Sequence, residues 1–161
     1  MSVETKLNEL DLVDVGIFRH GFTLYMRDYF LEYEVGGTTS HAGRYLCLFT
    51  HCVIAHVETR VDDAVWRKSW QDDFIDYQTW LNAGEPEGFV WGTNWSLAYP
   101  GLQYIRDSKL AASWSEKLKR EMHEVIIATG SFHIQLVFHD VRVEKTSSDI
   151  GVINKVIFPL K

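Results

Sequence analysis

The stretch around Gly130-Ser131 constrains this chain more than any other. HEVIIAT precedes it, FHIQLVFHDVRVEKT follows it, and both runs are rich in β-branched and aromatic residues. Two such runs parted by a Gly-X pair predict an antiparallel hairpin with a type II′ turn, which needs a positive φ at Gly130. Strand alternation then puts Ile134, Leu136 and Phe138 on one face, with His133, Gln135 and His139 on the other. The first set is the candidate core.

The same period of two starts at Tyr29. Tyr29, Leu31, Tyr33 and Val35 share a face opposite Phe30, Glu32 and Glu34, which reads as a half-buried strand. GGTTSHAG at 36–43 has the composition of a loop. Residues 44–61 then carry apolar side chains on both faces, as a central strand covered on both sides would. Helical signals are fewer. Leu7, Leu10, Val13 and Ile17 suggest a short N-terminal helix ending before Gly16 or Gly21. Asp62 and Asp63 open a helix with Trp66 and Trp70 on its apolar stripe, running to Gly84. A second begins near Asp107 or Ser108, with Leu110, Ala111, Trp114 and Leu118 on one side. Residues 85–102 read as irregular, with a short strand at 89–91, and a last strand is expected at 151–158.

The expectation is a single domain over 1–161 with an α+β fold. It comprises an antiparallel β-sheet system, sandwich-like, with two main helices at 63–82 and 107–119. A chain of 161 residues with 46% hydrophobic content supports one core without a metal or disulfide staple. Cys47 and Cys52, if both lie on one continuous strand, stand roughly 16 Å apart and face opposite sides, too far to pair. The net charge of −6 and the lack of any basic run argue against a nucleic-acid partner. No cationic segment followed by an apolar run opens the sequence, and no apolar stretch reaches the length of a membrane span. A cytoplasmic protein with no membrane partner is expected.

Chemistry-bearing residues are present without a specific signature. The 7 histidines show no pair at ligand spacing on one element, and no HExxH, CxxC, P-loop, GxGxxG or GxSxG occurs. No metal, cofactor or catalytic residue is therefore assigned. His51 beside Cys52 does not make a nucleophile pair, because neighbouring strand residues face apart. Two surfaces remain candidates. A pocket for a small ligand is lined by His20, Asp28, His51, Trp91 and Trp95. A partner-binding face consists of Asp72, Asp73, Asp76, Glu85 and Glu87, with Trp80 and Trp95 as aromatic anchors. An acidic face of this kind suits a basic protein partner and speeds association with it.

Five blocks carry a resemblance. HGFTLYMRDY (20–29), FTHC (49–52), VWGTNWSLAYPG (90–101), DSKLAASWS (107–115) and HIQLVFHDVRV (133–143), in this order, resemble the YxiG-like domain, a bacterial family of uncharacterised function. The resemblance covers most of the chain but not the region after Thr146, and it brings no catalytic residue. The resemblance implies an immunity-type role by association, because relatives in bacilli lie in gene neighbourhoods with polymorphic toxins. The leading expectation is a non-enzymatic protein-binding module that neutralises a basic toxin domain. The alternative is a small-ligand binder or enzyme with an aromatic and histidine-lined pocket.

Overall fold

The structure is a computed structural model that describes residues 1–38, 40–68, 77–85 and 96–146. Within them the order is α1 (Val3–Leu10), β1 (Gly16–Phe22), β2 (Tyr29–Val35), β3 (Gly43–Thr50), β4 (Ile54–Thr59), α2 (Asp63–Lys68), α3 (Tyr77–Asn82), β5 (Ser96–Tyr104), α4 (Lys109–Leu118), β6 (His123–Thr129), β7 (Phe132–Phe138) and β8 (Asp140–Thr146). The strands form one sheet in the order β4-β7-β6-β5-β1-β2-β3-β8. Every pairing is antiparallel. The fold is thus α+β and dominated by its antiparallel sheet.

This sheet consists of two groups. Among the described residues, β1 and β5 join them at Gly16↔Leu97 and Ile17↔Ser96. The remaining pairs are longer, for example Arg44↔Thr146 through Thr50↔Asp140 between β3 and β8. β3 passes into β4 through 51–53 alone, and β7 passes into β8 through His139 alone. Such short links between strands near opposite ends of the order require the two groups to lie against each other. One core accordingly draws on both: Leu31, Cys47 and Phe49 from the first group, Val125, Ile127, Leu136 and Phe138 from the second. Phe49 and Phe138 meet edge to face at 4.9 Å, a favoured aromatic geometry.

The expected core of β7 is present, with Ile134, Leu136 and Phe138 all 0% exposed. The turn before it differs from the expected type II′. Gly130 does not have a positive φ. The loop is instead organised by Thr129, whose Oγ1 accepts the N–H groups of Ser131 at 3.2 Å and Phe132 at 3.0 Å. A side chain that satisfies these donors removes the need for a left-handed glycine.

Other departures have equally local causes. The strand expected over 44–61 is broken at His51, which takes φ 49°. Its N–H donates to Asp28 Oδ1, and the N–H of Cys52 donates to Arg27 O. The turn returns Cys47 and Cys52 to the same core as free thiols, so they do not face opposite sides. β2 is buried on both faces through Tyr33. Phe30 packs with Leu46, and Glu32 is enclosed by Arg19 at 2.7 Å and Arg44 at 3.9 Å.

The N-terminal helix ends at Asp11 in a left-handed conformation, so Leu7 and Leu10 belong to its buried side while Ile17 belongs to β1. β1 and β5 fall where no strand was expected. β5 contains Pro100 and Gly101, and its register slips between Ala98 and Gly101, the irregularity such residues impose on a strand. Helix appears at both ends of the expected 63–82 segment, as α2 and α3. Residues 69–76 and the strands expected at 89–91 and 151–158 lie outside the described residues. Asp62 and Ser108 cap α2 and α4 by accepting the N–H groups of Ala64 and Ala111. Among the described residues no helix is long and apolar enough to cross a membrane.

Candidate functional site

Of the residues expected to line a pocket, His20, Asp28 and His51 lie around the β1–β2 and β3–β4 turns. His20, on β1, shares a 2.7 Å hydrogen bond between Nδ1 and the Tyr29 hydroxyl, and its ring lies 4.8 Å from that of Phe132. Burial pulls the His20 pKa below its ordinary value and pushes that of Tyr29 up. Asp28 is engaged differently. Arg27 donates to its two carboxylate oxygens at 2.9 and 2.7 Å, and the His51 N–H donates at 2.9 Å. The Arg27 fork holds the Asp28 carboxyl below the ordinary range, with a further contribution from the His51 amide. The His51 ring stands 6.0 Å from that of His139.

The structure therefore joins Asp28 to His51 and gives His20 other partners. The Asp28 carboxylate ties the β1–β2 turn to the β3–β4 turn, while His20 pairs with a side chain of the neighbouring strand. Trp91 and Trp95 lie outside the described residues. So do Asp72, Asp73, Asp76 and Glu87 of the acidic face. Of that face, Glu85 is exposed and Trp80 is half-buried on α3.

A different concavity forms between α1 and the β2-β3-β8 end of the sheet, with a volume of about 870 Å³. α1 lies beside β8, anchored by buried Leu7 and Leu10 and by Lys6 Nζ donating to Asp140 Oδ1 at 2.6 Å. Past Leu10, the inward faces of the three strands form the floor. Tyr33 and Tyr45 are directly opposite in the β2–β3 register, and their rings stack at 5.4 Å with 14° between planes. Cross-strand aromatic pairs of this kind stabilise the sheet as well as surfacing it. Val35, Val141 and Val143 extend the apolar floor, while Glu9, Asp11, His41 and Arg142 add polar groups.

The tyrosines have distinct environments. Burial raises the Tyr33 pKa, so its phenol stays protonated. The Tyr45 hydroxyl donates to His41 O at 2.6 Å, and Lys145 Nζ lies 5.6 Å from its ring centre. This cation over an aromatic face is a modest attraction at an exposed site. Cys47 and Cys52 are both buried; burial pushes the Cys52 thiol up to about 12, which suppresses the nucleophilic thiolate. Among the described residues, no group of three or more His, Cys, Asp or Glu is arranged to hold a metal ion.

Sequence reasoning did not single out this groove. Its members come from residues 6–11, 33–45 and 141–143, which only the β2–β3–β8 register brings together. The alternation placing Tyr33 and Val35 on one face was the available signal.

The described residues thus combine an antiparallel α+β fold with a groove floored by two stacked tyrosines. A family model described as YxiG-like protein matches residues 1–154. The chain belongs to this family. No curated protein matches the sequence.

Proposed function

We propose that this chain is a non-enzymatic protein-binding module that receives an extended segment of its partner along β8. The observation that carries this reading is the groove floored by Tyr33 and Tyr45 beside β8, which ends the strand order among the described residues. A sheet edge supplies main-chain hydrogen-bonding groups, and an adjacent apolar floor accepts alternate side chains of an added strand. In this reading the two strand groups close sandwich-like, with α1 and the longer helical segments packed outside them. The net charge of −6 suits a basic partner, such as a toxin domain neutralised in the cytoplasm by an immunity-type complex.

The test is affinity purification of the full chain from its native host, followed by titration of the recovered partner. Val143→Glu, placing a carboxylate on the groove floor, should weaken binding by at least about ten-fold. Equal affinity for this variant, or no recovered protein, would count against the reading.

A second reading is favoured by the parallel tyrosine rings, whose size and stacking geometry also suit a planar small molecule. Native mass spectrometry of the purified protein decides between them. A retained small molecule, lost in Tyr45→Ala, would replace the protein-binding reading.

A further inference from the structure

The groove opens on the core side of the sheet, where a gap is least expected. Directly paired residues on neighbouring strands share a face. Val143 pairs with Cys47 and Val141 with Phe49, and Cys47 and Phe49 are wholly buried. Val143 thus looks toward the core, yet it is 40% exposed. Val35 and Tyr45 line the same strip and pack against the core only in part. Among the described residues β8 pairs on one side alone, with β3. A bare stretch of core face and a free strand edge therefore run together along β8.

The chain carries a segment of matching length and pattern directly after this strand. β8 stops at Thr146, opposite Arg44 and next to the Val35 and Tyr45 end of the groove. Residues 147–161 lie outside the described residues. Ser147, Ser148 and Asp149 are turn formers. GVINKVIF, at 151–158, is close to β8 in length, and Pro159 closes it. A four-residue loop at 147–150 sets Val156 opposite Val141 and Ile153 opposite Glu144. Val152, Val156 and Phe158 then share the groove side with Asn154, and Lys155 takes the opposite face. A one-residue slip would put Lys155 on the groove floor instead. The family match also runs beyond β8, to residue 154.

We propose that residues 151–158 add to β8 as an antiparallel strap over the groove, standing in for the partner segment, which must displace them to bind. A four-residue connection holds the strap at an effective concentration on the order of millimolar. That is well above the level of a second copy or a separate protein in a cell, so the chain's own segment is the first occupant of the edge. The proposal rests on the protein-binding reading and adds its regulation. Affinity for the partner falls with the fraction of molecules whose groove is covered.

The test locks the strap in the full chain. Glu144→Cys paired with Ile153→Cys should form a disulfide within one chain on mild oxidation, because opposed strand residues bring their Cα atoms to about 4.5–5.5 Å. Glu144→Cys paired with Val152→Cys, which faces the other way, should stay reduced. The partner recovered by affinity purification should bind the oxidised Ile153 pair at least about ten-fold more weakly than the reduced one. Val156→Asp, which expels the strap, should tighten binding by about ten-fold. Three results would overturn the strap: equal oxidation of both pairs or of neither, a disulfide joining two copies, or partner affinity indifferent to the lock and to Val156→Asp. A disulfide confined to the Ile153 pair, with no protein recovered from the host, would leave the added strand in place and sink the protein-binding reading with its regulation. A partner weakened by Val143→Glu but indifferent to the lock would keep that reading and remove the strap.

Discussion

Asp28 accepts the backbone N–H of His51 at 2.9 Å, across 23 positions of sequence. With Arg27 forked onto the same carboxylate, this bond makes one unit of the β1–β2 and β3–β4 turns. The side chain is buried, so water does not replace these contacts when they are removed.

Asp28→Asn should therefore destabilise the fold by about 1–3 kcal/mol, because a neutral amide weakens the Arg27 fork and the charge-assisted bond to His51. Urea denaturation measures this directly. The Asp28 pKa is lowered from 3.8 on folding. The stability it confers is present above that ordinary value and lost as pH falls through the lowered one. The variant should lack this part of the acid-side loss.

At milder pH the histidines dominate. Burial lowers the pKa of His20, and burial likewise leads the lowering for His123, both from 6.5. The unfolded chain takes up these protons first as pH drops through that value, so acidification favours unfolding until the lowered native pKa is reached. Tm should fall on going from pH 7.5 to 5.5. His20→Gln should show a shallower decline over this range, and an unchanged slope would contradict the assignment.

Phe138 is wholly buried against Phe49. Phe138→Ala should cost about 3–5 kcal/mol, from lost transfer energy and the cavity left behind. A smaller loss in equilibrium unfolding would mean that the two strand groups collapse onto the space.

Gly101 is needed for a close backbone approach. It has φ +84°, and a Cβ there would stand 1.8 Å from Leu12 O. Gly101→Ala should cost at least about 1–3 kcal/mol from backbone strain alone, with displacement of the 11–15 segment in addition. Amide exchange should accelerate at Leu102, which donates to Leu12 O at 3.3 Å, and at Asp14, which donates to Ala98 O at 2.8 Å.

The elements legible in the sequence were those whose signals are local. β2, the β6–β7 hairpin and α4 declare themselves by alternation or by a capping serine, and all three are present. β1 and β5 do not. Gly16, Gly21, Pro100 and Gly101 interrupt their patterns, and both are strands because partners on each side complete their pairing. The break at His51 depends on Asp28, a residue of another turn, which no window along 44–61 contains. The site follows the same division. Tyr33 and Tyr45 were visible as strand residues, but their stacking is a product of register, and the polar atoms of Asp28 were committed to His51 rather than to a pocket.

The two strand groups are interleaved along the chain. β1, β2 and β3 belong to one, β4 to β7 belong to the other, and β8 returns to the first. No single cut divides the polypeptide into one fragment per group. During synthesis β3 must wait for residues 140–146 before its outer edge is paired, while the whole second group emerges in between. Such long-range closure slows folding and leaves an unpaired edge exposed in the nascent chain. β8 is the strand that covers the outer edge of β3, so truncation within β8 would leave that edge bare and the sheet prone to aggregation.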